Sequence, residues 1–261
     1  MSDGWSVLAV VATFIPLVLL ERWIHQHIHG VALLATRHDD AAVLVYALPL
    51  LPGVLLHELS HWLAARLLGV RTAGMSLLPQ RQRDGRVRLG SVTIYQTDVV
   101  RASLIGVAPL ICGSLAVLAM GQWVFGVGAL GEALQSGKFE AITQALAAAL
   151  SAPDMWLWLY LLFAVANAML PSESDRETWP PVILFLAVVV VAAYVLGFSN
   201  VLLDLAPLVT SALRWLAVAF AWTIVADVPF VILIALAERT LSAASGQRVY
   251  YKRVDKKKVH K

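Results

Sequence analysis

The chain has one cysteine in 261 residues, Cys112, which excludes an internal disulfide and a cysteine-based zinc cluster. Charge is also scarce. Asp, Glu, Lys and Arg make up 14% of the residues while 59% are hydrophobic, whereas soluble domains average about a quarter charged. So little charge cannot cover a water-facing surface. There is no internal repeat, no low-complexity linker and no polar stretch long enough for a separate soluble domain. The first apolar run, residues 5–20, lacks a basic leading region and a small-residue cleavage site. It ends at Glu21-Arg22-Trp23, an interfacial anchor, and so reads as a span rather than a signal peptide.

What fills the chain instead is long apolar runs. A helix needs about 20 apolar residues at 1.5 Å rise to cross a bilayer. Six such spans are expected, at residues 5–24, 42–69, 100–126, 154–170, 180–199 and 207–237. The fold class is therefore an all-α polytopic membrane protein forming one membrane domain. Its core is about 42–176, and a basic tail covers 238–261. Basic residues gather at Arg71, Arg81, Arg83, Arg86, Arg88 and Arg101, and again from Arg248 to Lys261. They read as cytoplasmic flanks of spans and not as a nucleic-acid surface. With six spans both segments fall on one side, so the N- and C-termini are expected in the cytoplasm of a multi-pass cell-membrane protein. Between the second and third spans, residues 70–98 carry the Asp84-Gly85 turn signal and alternation at Val87, Leu89, Val92 and Ile94, which predicts a small hairpin. Residues 129–151 predict a surface helix joining two spans.

The second span contains His57-Glu58-Leu59-Ser60-His61, an H-E-x-x-H pattern. Residues i and i+4 share a helical face, so both imidazoles can reach one metal ion. Glu58 follows the first ligand and can act as general base on a water that zinc acidifies to a pKa of about 7. Ionisable residues inside a span cost several kcal/mol each when uncompensated, so three in five residues imply a function. Zinc needs a third protein ligand. Asp175, its neighbours Glu173 and Glu177, and the more distant Asp204 and Asp227 are all candidates, and spacing does not choose among them.

The run "HELSHWLAARLLGVRTAGMSLLP" resembles the signature helix of the site-2 protease family of intramembrane zinc metalloproteases. "DVVRASLIGVAPLICGSLAVL" resembles that family's next span, with its A-G-P-x-x-N pattern, and "NAMLPSESDR" its third motif, an Asn and Pro followed by Leu-Asp-Gly. The resemblance covers roughly residues 50–176. It implies His57, His61 and Asp175 as zinc ligands, Glu58 as general base and Asn167 as a substrate-binding residue. It further implies a membrane-protein substrate helix as partner within the lipid bilayer, with residues 70–98 forming a membrane-associated sheet. The chain departs from the family at Ala108 (Gly preferred), Cys112 (Asn), Ser174 (Leu) and Arg176 (Gly), and Pro171 is displaced by one position. Arg176 is expected to bring a cation near the metal. These departures motivate an alternative reading as a catalytically degenerate, non-proteolytic membrane binding protein.

Other residues have plainer readings. His25, His27 and His29 alternate beyond the first span and are expected to form an interfacial polar cluster. Pro49 and Pro52 lie one to two turns before His57 and are expected to bend the helix there. Cys112 reads as a small buried apolar residue. A metal or proton transporter would require ionisable residues facing one another along several spans, and the second span alone is expected to bury them.

Overall fold

The apolar runs fold as helices because a backbone without water must satisfy its own hydrogen bonds. A computed structural model describes residues 3–81, 87–249 and 251. In chain order it contains α1 (Asp3–Thr36), α2 (Asp39–Ala47), a 3-10 turn (Leu48–Leu50), α3 (Leu51–Leu67), β1 (Thr72–Ser76), β2 (Gln80–Arg81), β3 (Val87–Arg88) and β4 (Ser91–Ile94). There follow α4 (Val99–Trp123), α5 (Val127–Ser136), α6 (Phe139–Leu150), α7 (Met155–Ala166), α8 (Glu173–Arg176), α9 (Trp179–Val195) and α10 (Ser199–Ser245). Among the described residues five helical stretches are long and apolar enough to cross a membrane, or six if the bent pair α6–α7 is one crossing. The protein is thus a helical membrane protein with a small β element.

The helices position the later site through a few contacts. α1 lies along α10, and α3 packs against α4 and α7. A core of Leu17, Val117, Leu162, Met169 and Phe220 fills the centre, and Ile24, Leu50 and Phe163 fill a second cluster. α9 has no buried residue, although residues 182–193 are all apolar. Such an apolar exterior suits lipid and not water. The second expected span is assembled from α2 and α3, with the backbone tightening to a 3-10 turn at Leu48-Pro49-Leu50. Pro49 has no N–H to give and its ring crowds the preceding turn. Below that turn, a Cβ on Gly53 would collide with the carbonyl of Ala164, so glycine lets α3 approach the backbone of α7.

The hairpin is a nested antiparallel pair, with β1 on β4 (Met75 opposite Val92) and β2 on β3 (Gln80 opposite Arg88). Its Asp84-Gly85 turn lies outside the described residues, as do most of the basic residues of the tail. Asp98 then starts α4 by accepting from the Arg101 N–H at 2.9 Å, which holds its carboxyl below the usual range.

Three elements differ from expectation. The first helix continues to Thr36 rather than ending at 24, because the polar groups beyond Glu21 find partners inside the bundle. The fourth span is a short helix of 12 residues, Met155–Ala166, set at 88° to Phe139–Leu150. The single surface helix expected at 129–151 is two helices, because Gly137 at φ 65° ends α5.

Candidate metal centre

His57 and His61 lie one turn apart on α3 and point at the same space. A backbone carbonyl fixes each ring. His57 Nδ1 lies 2.6 Å from the Ala168 carbonyl oxygen, and His61 Nδ1 2.9 Å from that of Ile105. A carbonyl only accepts, so each Nδ1 carries the proton and each neutral ring presents its Nε2 lone pair inward.

Both carbonyls are free for a structural reason. Ile105 lies four residues before Pro109 within α4. Proline has no N–H, so the carbonyl that would have received it is open. Ala168 lies just past the end of α7, where carbonyls lose their helical partners. Neither carbonyl was identified from the sequence. The proline at i+4 of Ile105 was the available signal.

Asp175 completes the group. Its Oδ1 is 3.2 Å from His61 Nε2 and its Oδ2 is 3.7 Å from His57 Nε2, while the two Nε2 atoms are 3.1 Å apart. The carboxylate is aimed by the N-terminus of α8. Ser172 donates to Asp175 Oδ2 from its backbone N–H at 2.7 Å and from its hydroxyl at 2.5 Å. Ser172 thus caps α8 and holds the acid at once. On the far side α4 comes so close that a Cβ on Gly106 would run into the Asp175 carbonyl.

Ligands about 2.0–2.1 Å from a tetrahedral ion are about 3.3 Å from one another. The three distances of 3.1, 3.2 and 3.7 Å bracket that edge. Two bare imidazole nitrogens and a carboxylate at this separation repel one another unless a cation or a shared proton lies among them. Among the described residues, this is the group of three ligand atoms able to hold a metal ion, all within 4.8 Å of one another. Glu173, Glu177, Asp204 and Asp227 are not in it.

The remaining expected residues fall around this centre. Glu58 is buried and lines, with both histidines and Asp175, a cavity of about 790 Å³. The loop between β3 and β4 lies over it, and a Cβ on Gly90 would come within 2.7 Å of Glu58 Oε1. Arg176 Nε donates to the Ser172 carbonyl at 3.3 Å, and Arg176 lines the same cavity. Ala108 is buried in α4, and Cys112 half-buried. Asn167 is buried too, and its amide donates to Asp227 Oδ1 at 2.8 Å and to the Phe163 carbonyl at 2.9 Å.

The expectation that only the second span buries ionisable residues fails. Asp227 in α10 is fully buried, and Glu21 and His25 in α1 line the cavity. α1 runs past the anchor where its span was expected to end, which carries His25 into the bundle. His25 bonds to Tyr46 and Asn167, His27 stacks on Trp23, and His29 meets Tyr46 edge-on.

No protein-family model, curated protein or solved structure matches this chain.

Proposed function

We propose that the protein is an intramembrane zinc metalloprotease that hydrolyses a peptide bond in or near a transmembrane segment of a membrane-protein substrate. One observation carries the reading: two imidazoles and a carboxylate converge at tetrahedral ligand spacing beside a buried glutamate, inside an apolar helical bundle. The resemblance of the three sequence motifs to the site-2 protease family supports it.

The donor set of two neutral imidazole nitrogens and one carboxylate suits zinc and leaves a fourth position open. Zinc held by His57, His61 and Asp175 would polarise the scissile carbonyl and acidify the attacking water. Glu58 is the proton carrier. It takes a proton from the water on attack and returns it to the amine as the C–N bond breaks, so protons balance over one turnover. A helical substrate hides its carbonyls in i to i−4 bonds and must unwind to react. β4 pairs with β1 on one edge, and no strand among the described residues covers the other. Val92 and Ile94 of β4 line the cavity. An unwound substrate strand added to that edge would be held extended beside the glutamate.

With the bent pair α6–α7 as one crossing, six crossings put both termini on one side. The arginines between α3 and α4 support the cytoplasm as that side, because basic residues favour the cytoplasmic flanks of spans. His57 lies about 18 Å of helical rise from Gly69 at the end of its span, so the cavity is the route by which water reaches it.

The test is a comparison of newly formed N-termini in membranes of cells making the protein. Termini within or beside predicted spans of other membrane proteins should appear with zinc supplied, vanish under a zinc chelator and return when zinc is restored. A chain that binds zinc stoichiometrically yet yields no such termini is instead the degenerate, non-proteolytic binding protein.

A further inference from the structure

Asp227 takes no part in the proposed chemistry, yet it is fully buried in α10 and its contacts lead to the metal centre. Its Oδ1 accepts from the Asn167 amide at 2.8 Å. Asn167 is the residue that ends α7. Its backbone carbonyl, freed by the helix end, lies 3.0 Å from His25 Nε2. That contact fixes the His25 tautomer: Nε2 carries the proton, so Nδ1 accepts from the Tyr46 hydroxyl at 2.6 Å. The turn at Asn167 is therefore gripped from α1 through His25 and from α10 through Asp227. The next carbonyl along, that of Ala168, is the one that accepts from His57 Nδ1.

Resting on the metal reading above, we infer that Asp227 is a positioning residue: through Asn167 it fixes the Ala168 carbonyl and thereby the orientation of the metal ligand His57. A carboxylate placed in a bilayer interior is costly. Partners beyond the ligands typically contribute about 10–100-fold to metal affinity. A hydrogen-bonded clamp on the carbonyl that sets a ligand's tautomer accounts for a buried hydrogen-bond acceptor at this place. It also gives the Asn167 amide a role that is independent of substrate.

The experiment uses the purified full-length chain in lipid nanodiscs. Zinc affinity is measured by chelator competition, and ligand geometry by the visible bands of the cobalt-loaded protein. Asp227→Ala should weaken zinc binding about 10–100-fold and shift the cobalt bands. Asp227→Asn, whose carbonyl oxygen still accepts from Asn167, should restore both. Asn167→Ala should reproduce the loss, and the double variant should be no worse than either single one, because all act through one link. If Asp227→Ala does not fold, Asn167→Ala decides, since an amide that only touches substrate leaves zinc affinity unchanged. Wild-type zinc affinity in a folded Asp227→Ala or Asn167→Ala protein overturns the inference, as does an Asp227→Asn protein as weak as Asp227→Ala. A wild-type chain that binds no zinc overturns the metal reading itself.

Discussion

Glu58→Gln is expected to keep the metal and lose cleavage. Glutamine matches glutamate in shape and still fills the buried space under Gly90. It contributes no atom to the His57, His61 and Asp175 group, so metal content should stay at the wild-type level. What it cannot do is take a proton from water. A positioned general base contributes about 10²–10⁴-fold, a barrier of about 3–5 kcal/mol. Turnover per bound metal should fall by that factor, and lowering or raising pH should not restore it because an amide does not titrate in this range. Cleavage at the wild-type rate with metal in place would remove Glu58 from the mechanism.

Asp175→Ala should have the opposite signature, with metal lost first and activity lost as a consequence. The two histidines would remain oriented by Ala168 and Ile105 but would have no anionic third donor. Affinity should fall by more than the about 10–100-fold typical of losing an outer partner. Ser172 donates twice to this carboxylate, so the α8 cap loosens as well. Equilibrium dialysis of the folded variant against buffered zinc reads the effect. Unchanged metal content would transfer the third-ligand role to Glu173 or Glu177.

How much of this was legible in the sequence follows from the physics of each part. His57, Glu58 and His61 were legible because helical periodicity acts over four residues, and because their cost in an apolar run demands an explanation. Asp175 was different. It is brought to the histidines by the packing of α4 and α8, which no local spacing encodes, so only the resemblance to a known motif singled it out. Its neighbours Ser174 and Arg176 depart from that motif. In the structure the nearby Ser172 caps α8 and holds the carboxylate, and the Arg176 side chain bonds to the same turn.

Hydropathy located the long apolar helices but misjudged their ends. Glu21 and the histidines after it read as an exit from the membrane. Their partners, Tyr46 and Asn167 for His25, lie far along the chain and cannot be read from the local pattern. The short α7 was hidden for a related reason. Its apolar residues run on through Met169 and Leu170, but the helix stops at Ala166, where Asn167 is pulled toward α10. Asp227 was weighed only as a third ligand, and its partner Asn167 lies 60 residues away, beyond any local pattern. Ile105 could have been found, since Pro109 announces an unpaired carbonyl four residues earlier.

The central claim is that one ion is held by two imidazoles and a carboxylate. Zinc-edge X-ray absorption on zinc-supplied, full-length protein tests it most directly. The expected spectrum has nitrogen and oxygen ligands at about 2.0–2.1 Å, with the multiple-scattering pattern of two imidazole rings, and that pattern weakens when either His57 or His61 is replaced. Absence of bound zinc, or zinc bound without imidazole, would contradict the claim and leave a polytopic membrane protein whose polar cavity serves another purpose.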